Sequence, residues 1–116
     1  MKAKEKIIDF SLSKTRIKIE KTPNFFREIE KAIYATMKIT FSEIVGKSRK
    51  RNKVYARMIF AKYMTEKGYT IQRVSKKMKH SHSTVVYYVK KYKDDFQYNP
   101  EFREIVIAIK EALSKI

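Results

Sequence analysis

Cysteine and tryptophan are absent from this 116-residue chain, and glycine and proline occur only twice each. Without cysteine there can be neither a disulfide nor a thiolate metal site. The two histidines, His80 and His82, lie two residues apart in a basic segment and make a poor ligand set, so no metal is expected. With Gly46 and Gly68 alone, neither a phosphate-cradling loop nor a dinucleotide fingerprint can be built. Acids are scarce as well: twelve Asp and Glu stand against twenty-eight Lys and Arg, a formal charge of +16. Those that neighbour one another (Glu28 and Glu30, Asp94 and Asp95, Glu101 and Glu104) fall on helical or loop segments as solvent-facing or capping groups. The expectation is a protein that is not an enzyme, with no cofactor and no small-molecule substrate. No apolar run approaches the roughly 20 residues of a membrane span. The N-terminus, despite Lys2, Lys4 and Lys6, lacks the apolar core of a signal peptide. A cytoplasmic location with no membrane partner is the default.

The positive charge collects in one place. Between Lys47 and Lys93 there are fifteen Lys or Arg and a single acid, Glu66, a local balance of +14. Residues 1–22 carry +4, residues 23–46 balance to 0 and residues 94–116 carry −2. Repulsion that merely keeps a surface soluble needs no such asymmetry. Clustered Lys and Arg favour a polyanion instead, because each phosphate they neutralise releases condensed counterions. The length allows one domain with a core of a few helices and a short extension.

Cap and proline signals divide the chain. Thr22-Pro23 reads as an N-cap followed by proline at the first helical position. Phe26, Ile29, Ile33 and Met37 then share one face of a helix of about fifteen residues. Thr40-Phe41-Ser42-Glu43 matches a capping box for a short helix that ends near Gly46. Residues 47–53, Lys-Ser-Arg-Lys-Arg-Asn-Lys, form a basic loop with no apolar residue. Ala56, Ile59, Phe60, Tyr63 and Met64 give the buried face of a second long helix that Gly68 can end.

Thr70 can cap the next helix, whose buried face is Ile71, Val74 and Met78. Ser81 or Ser83 can cap the one after it, with Val85, Tyr88, Val89 and Tyr92 as its apolar stripe. The few residues from Lys79 to His82 between these helices fit a helix-turn-helix over about 70–93, its second helix being the recognition helix. The outward face of that helix holds Ser83, Thr84, Tyr87 and Lys90. Asn99-Pro100 repeats the cap-plus-proline signal, and Phe102, Ile105, Val106, Ile109 and Leu113 line a final amphipathic helix that serves as scaffold. The fold class is all-α, a helix-turn-helix bundle of about five to six helices over residues 23–116. In residues 1–22, Phe10, Leu12, Ile17 and Ile19 alternate with polar residues, which leaves open a small β-hairpin or a flexible basic arm.

From about Phe25 to Leu113, the order of helices, the basic loop and the run Ser81-His82-Ser83-Thr84-Val85 resemble the C-terminal DNA-binding domain of the bacterial replication initiator DnaA. That family has a Gly-Gly-Arg-Asp-His-Thr-Thr-Val run at the start of its recognition helix. His82, Ser83, Thr84 and Val85 match its last four positions, with one Ser-for-Thr exchange. The resemblance implies a Trp-repressor-like bundle that binds double-stranded DNA, here without the family's nucleotide-binding domain. It implies base contacts in the major groove from Ser81, His82, Ser83 and Thr84, and a minor-groove arginine whose counterpart is Arg57 or one of Arg49 and Arg51. Short polar side chains at a helix N-terminus suit base edges, while the free amides there favour phosphate.

The sequence departs from the family in that Lys79-His80 replaces Gly-Gly-Arg with one residue fewer, and Ser81 replaces the aspartate. Both the turn and the base code are therefore altered. Lys47, Arg49, Lys50, Arg51, Lys53, Lys76, Lys77, Lys79, Tyr87, Lys90 and Lys91 are expected at the DNA backbone, where they position without specifying. The expected setting is the nucleoid, in replication initiation or its regulation, or as a transcriptional regulator of a mobile element. An RNA- or ribosome-associated basic protein suits the composition too, although the basic loop lacks aromatics for base stacking. A module that meets an acidic protein would not need a short-side-chain polar run at Ser81 to Val85. No helix shows a spare apolar stripe for a dimer interface, so a monomer is expected.

Overall fold

The computed structural model describes residues 24–115, and these form six α-helices with no strand among them. They are α1 Phe25–Met37, α2 Phe41–Val45, α3 Arg51–Glu66, α4 Ile71–Met78, α5 His82–Tyr98 and α6 Pro100–Ser114. The all-α helix-turn-helix bundle is thus present, and the hairpin or arm of residues 1–22 lies outside the described residues.

Cap chemistry sets most of the boundaries. Thr40 Oγ1 accepts from the Glu43 amide at 3.3 Å and Glu43 Oε1 accepts from the Thr40 amide at 2.9 Å, so both halves of the box that starts α2 are made. Thr70 caps α4 and Ser81 caps α5, each accepting an amide three residues on at 3.1 Å. Asn99 serves two helices, closing α5 and accepting from the Phe102 amide at 3.2 Å to open α6, with Pro100 at its first position. Two boundaries differ from the sequence reading. The first helix begins at Phe25 under an Asn24 cap, whose side chain takes the Arg27 amide at 3.1 Å, rather than at the Thr22-Pro23 signal, which lies outside the described residues. The basic loop is also shorter, because Arg51, Asn52 and Lys53 already form the first turn of α3, the Lys50 carbonyl accepting from the Lys53 and Val54 amides at 3.0 Å.

The core is built around α3, against which α1, α2, α4 and α5 all pack. Every residue from Tyr55 to Ala61 is buried, so this helix is covered on all sides rather than on the single stripe that its spacing suggests. Phe60 is fully buried among Phe26 and Phe41, with ring centroids 6.1 and 5.5 Å away. The scaffold helix α6 lies across α1 and α5. It is anchored by Phe102, whose ring meets Tyr55 at 5.0 Å and Tyr92 at 5.4 Å. Asn99 Nδ2 donates to the Tyr55 hydroxyl at 2.8 Å, which ties the α5–α6 elbow to the central helix. No helix among the described residues is long and apolar enough to cross a membrane.

Candidate nucleic-acid interface

The turn between α4 and α5 is made by Lys79, His80 and Ser81. Lys79 adopts the left-handed conformation, φ 58°, and the His80 amide reaches back to the Ser75 carbonyl at 3.2 Å while the Lys79 amide reaches Lys76 at 3.3 Å. These are the two bonds of a Schellman motif, whose left-handed position glycine fills without strain. A lysine therefore holds a glycine's conformation in the helix-turn-helix turn. Immediately beyond it, the Ser81 hydroxyl gathers the start of α5: it takes the Thr84 amide and lies 2.7 Å from Thr84 Oγ1 and 3.3 Å from Ser83 Oγ.

The basic loop is shaped from below by Arg57, which is only 2% exposed. Its Nε donates to the Ile44 carbonyl at 2.9 Å, its Nη2 to Gly46 at 2.7 Å and Glu43 at 3.1 Å, and its Nη1 to the Ser48 carbonyl. The last carbonyls of a helix have no partners within it and carry partial negative charge, so the C-terminus of α2 and the loop beyond supply what a buried guanidinium needs. Two further bonds tie this loop to the turn. His80 Nε2 lies 3.1 Å from the same Ile44 carbonyl, and since a carbonyl only accepts, Nε2 carries the proton. Lys47 Nζ donates to the Lys79 carbonyl at 2.8 Å. Burial holds the His80 imidazole below its ordinary pKa, opposed by the bond to Ile44 and reinforced by the charges of Lys47 and Arg57.

Between loop and helix runs a cleft of about 550 Å³ lined by Lys47, Arg49, His80, Ser81, Thr84 and Tyr87, with Arg57 at its base. This brings the two stretches singled out by charge and by motif into one site. On its α5 side Tyr87 is 53% exposed and Thr84 is half-buried, while His82 and Ser83 are exposed at the helix start and do not line the cleft. Val85 and Tyr88 turn inward and fix the helix to the core.

The expected cations fall into groups. Lys47, Arg49, Lys50, Lys76, Lys79 and Lys90 are exposed. Arg51 pairs with Glu101 at 3.1 Å, Lys53 with Glu43 at 3.4 Å and Lys91 with Asp95 at 3.2 Å, an interaction that raises the Lys91 pKa. Lys77 turns its ammonium over the rings of Phe26 and Phe41, 5.1 and 5.2 Å from their centroids. Arg57 departs from expectation. Its guanidinium is held on four carbonyls at the base of the cleft, which keeps it out of a groove in this arrangement, and of the other two arginines named for that role Arg49 lines the cleft and Arg51 does not.

Residues 26–91 match the family model described as the bacterial dnaA protein helix-turn-helix. The chain belongs to that family. The match runs from α1 into α5 and takes in the basic loop, the turn and the start of the recognition helix. Membership in the DnaA helix-turn-helix family makes this a DNA-binding fold, with double-stranded DNA as the partner its family supports. No curated protein and no solved structure matches the chain.

Within this DnaA-type domain, sequence reasoning missed the tie between loop and turn. One signal was available: Arg57 interrupts an otherwise apolar run from Val54 to Ala61, where a charge in a helix needs buried partners. His80 carried no such signal, being one polar residue among several.

Proposed function

We propose that this domain binds a short double-stranded DNA site as a monomer, with the start of α5 in the major groove and the basic loop at the adjacent minor groove. His82 and Ser83 read base edges, with Ser81 and Thr84 orienting them through the shared hydroxyl cluster and contributing their own contacts. Arg49, not Arg57, is the minor-groove arginine. Lys47, Lys50, Lys76, Lys79, Lys90 and Tyr87 meet phosphates and sugars. Arg51, Lys53 and Lys91 add to the field around them, since ion pairs at a surface contribute only about 0–1 kcal/mol and can exchange a carboxylate for a phosphate, and Lys77 adds its charge from over the Phe26 and Phe41 rings. The family points to replication initiation or its regulation in the nucleoid as the setting.

The observation that carries this reading is the cleft. It lies between the basic loop and the turn into the recognition helix, which direct hydrogen bonds from Lys47 to Lys79 and from His80 to Ile44 hold together, so a duplex that engages the loop lies beside the start of α5. Ser81 in place of the family's aspartate accepts no cytosine amino group with a full charge, so the preferred site differs from the initiator's usual box.

The test is selection from a random pool of duplex oligonucleotides, with affinities measured by fluorescence anisotropy for the wild type and a His82→Ala, Ser83→Ala double variant. An enriched motif that the double variant loses, with both proteins retaining salt-dependent attraction to any duplex, is the expected result. Binding without an enriched motif, unchanged in the variant, would remove sequence readout. Tighter binding to structured RNA than to duplex DNA would overturn the reading altogether.

A further inference from the structure

We infer that Arg57 is a positioning residue for DNA recognition: from beneath the surface it fixes the distance between the basic loop and the recognition helix. The inference rests on the proposed DNA reading and adds a residue that touches no DNA.

Four of the five guanidinium N–H groups are used on carbonyls spread over residues 43–48, so a single side chain defines the path of the α2 C-terminus and the loop at four points. One of those carbonyls, Ile44, is also the acceptor for His80 in the helix-turn-helix turn. Arg57 and His80 therefore hold one oxygen from two sides, and whatever moves that carbonyl moves the loop relative to α5. Lys47, which lies in the same stretch and lines the cleft, closes a second link through the Lys79 carbonyl. Arg57 itself sits in the continuously buried stretch of α3, from Tyr55 to Ala61. The two reading elements are thus referred to the core rather than only to each other, and the geometry they present is set before DNA arrives. A site prepared in this way loses less conformational freedom on binding. A lysine at this position keeps the charge but has neither the planar fork nor the reach to several diverging carbonyls.

The experiment compares wild type, Arg57→Lys, a Lys47→Ala, Arg49→Ala variant and the combination of all three changes. Thermal melts and far-ultraviolet circular dichroism accompany anisotropy titrations of a random duplex pool over a salt series. Wild-type binding comes first, since its failure would strike the DNA reading itself and not this inference. If Arg57 positions the loop, Arg57→Lys retains its helix content but binds roughly tenfold more weakly. Its salt slope becomes shallower by about 1.8, the value for two cations, Lys47 and Arg49, that no longer displace counterions from the duplex.

The triple change then loses little more than either parent, because Lys47 and Arg49 no longer act once their loop is released. Losses that simply add, or an unchanged salt slope in a folded Arg57→Lys protein, would overturn the inference. If Arg57→Lys does not fold, the decision passes to His80→Ala, which cuts the second tie to the Ile44 carbonyl without burying a charge. A shallower slope supports the coupling, and an unchanged one refutes it.

Discussion

At the scale of single residues, His80 shows how a side chain outside the core can make the fold sensitive to pH. Its imidazole is partly buried, donates to Ile44, and faces the charges of Lys47 and Arg57, so it is held below its ordinary value. The unfolded chain therefore takes up a proton before the folded one does. The stability that neutral His80 contributes is complete above about pH 6.5, the ordinary histidine value, and is lost as the pH falls below that toward the depressed value in the fold. Melting temperatures recorded between pH 7.5 and pH 5 are expected to fall for the wild type. They should fall less for His80→Gln, whose amide can donate to the same carbonyl without titrating. Equal slopes in the two proteins would show that the acid loss has another source; Glu43, whose carboxylate is kept low chiefly by the Thr40 amide, gives up its contribution only at more acid pH, below the ordinary carboxylate range.

At the scale of elements, what could be read in advance was what is local. The caps of α2, α4, α5 and α6 each need two groups three residues apart, and Thr40 with Glu43, Thr70 and Asn99 all showed themselves in the sequence, while for α5 the choice lay between Ser81 and Ser83 and fell to Ser81. The apolar stripes of α5 and α6 were legible for the same reason. The α3 environment was not, since a helix packed on all sides has no single stripe to find. Arg57 was offered beside Arg49 and Arg51 for a groove, and its buried setting could not be foreseen because its carbonyl partners lie 9 to 14 residues away along the chain. The bond from Lys47 to Lys79 spans 32 residues and leaves no local trace at all.

The turn after α4 invites a direct test at this scale. Lys79 pays the cost of a left-handed backbone, about 1 kcal/mol for a residue with a Cβ. Lys79→Gly is therefore expected to raise stability by up to about that amount, offset in part by the greater freedom of glycine in the unfolded chain. Chemical denaturation with an unchanged dependence on denaturant would measure it. A loss of stability would mean that the lysine side chain contributes more than its backbone costs.

Over the whole molecule, charge is unevenly distributed along the chain. The central and reading parts, from Lys47 to Lys93, carry +14, whereas residues 94–116, which supply α6, carry −2 and brace the bundle through Phe102 against Tyr55 and Tyr92. On the proposed reading, such a field orients the molecule toward a phosphate backbone with the loop and the α5 start leading. The most direct measurement of that claim is the set of amide shift changes when isotope-labelled protein is titrated with a short DNA duplex. The account expects the largest changes at residues 47–50 and 79–90, on both walls of the cleft, with α6 nearly still. Large changes along α1 and α6, with those two stretches unmoved, would contradict it.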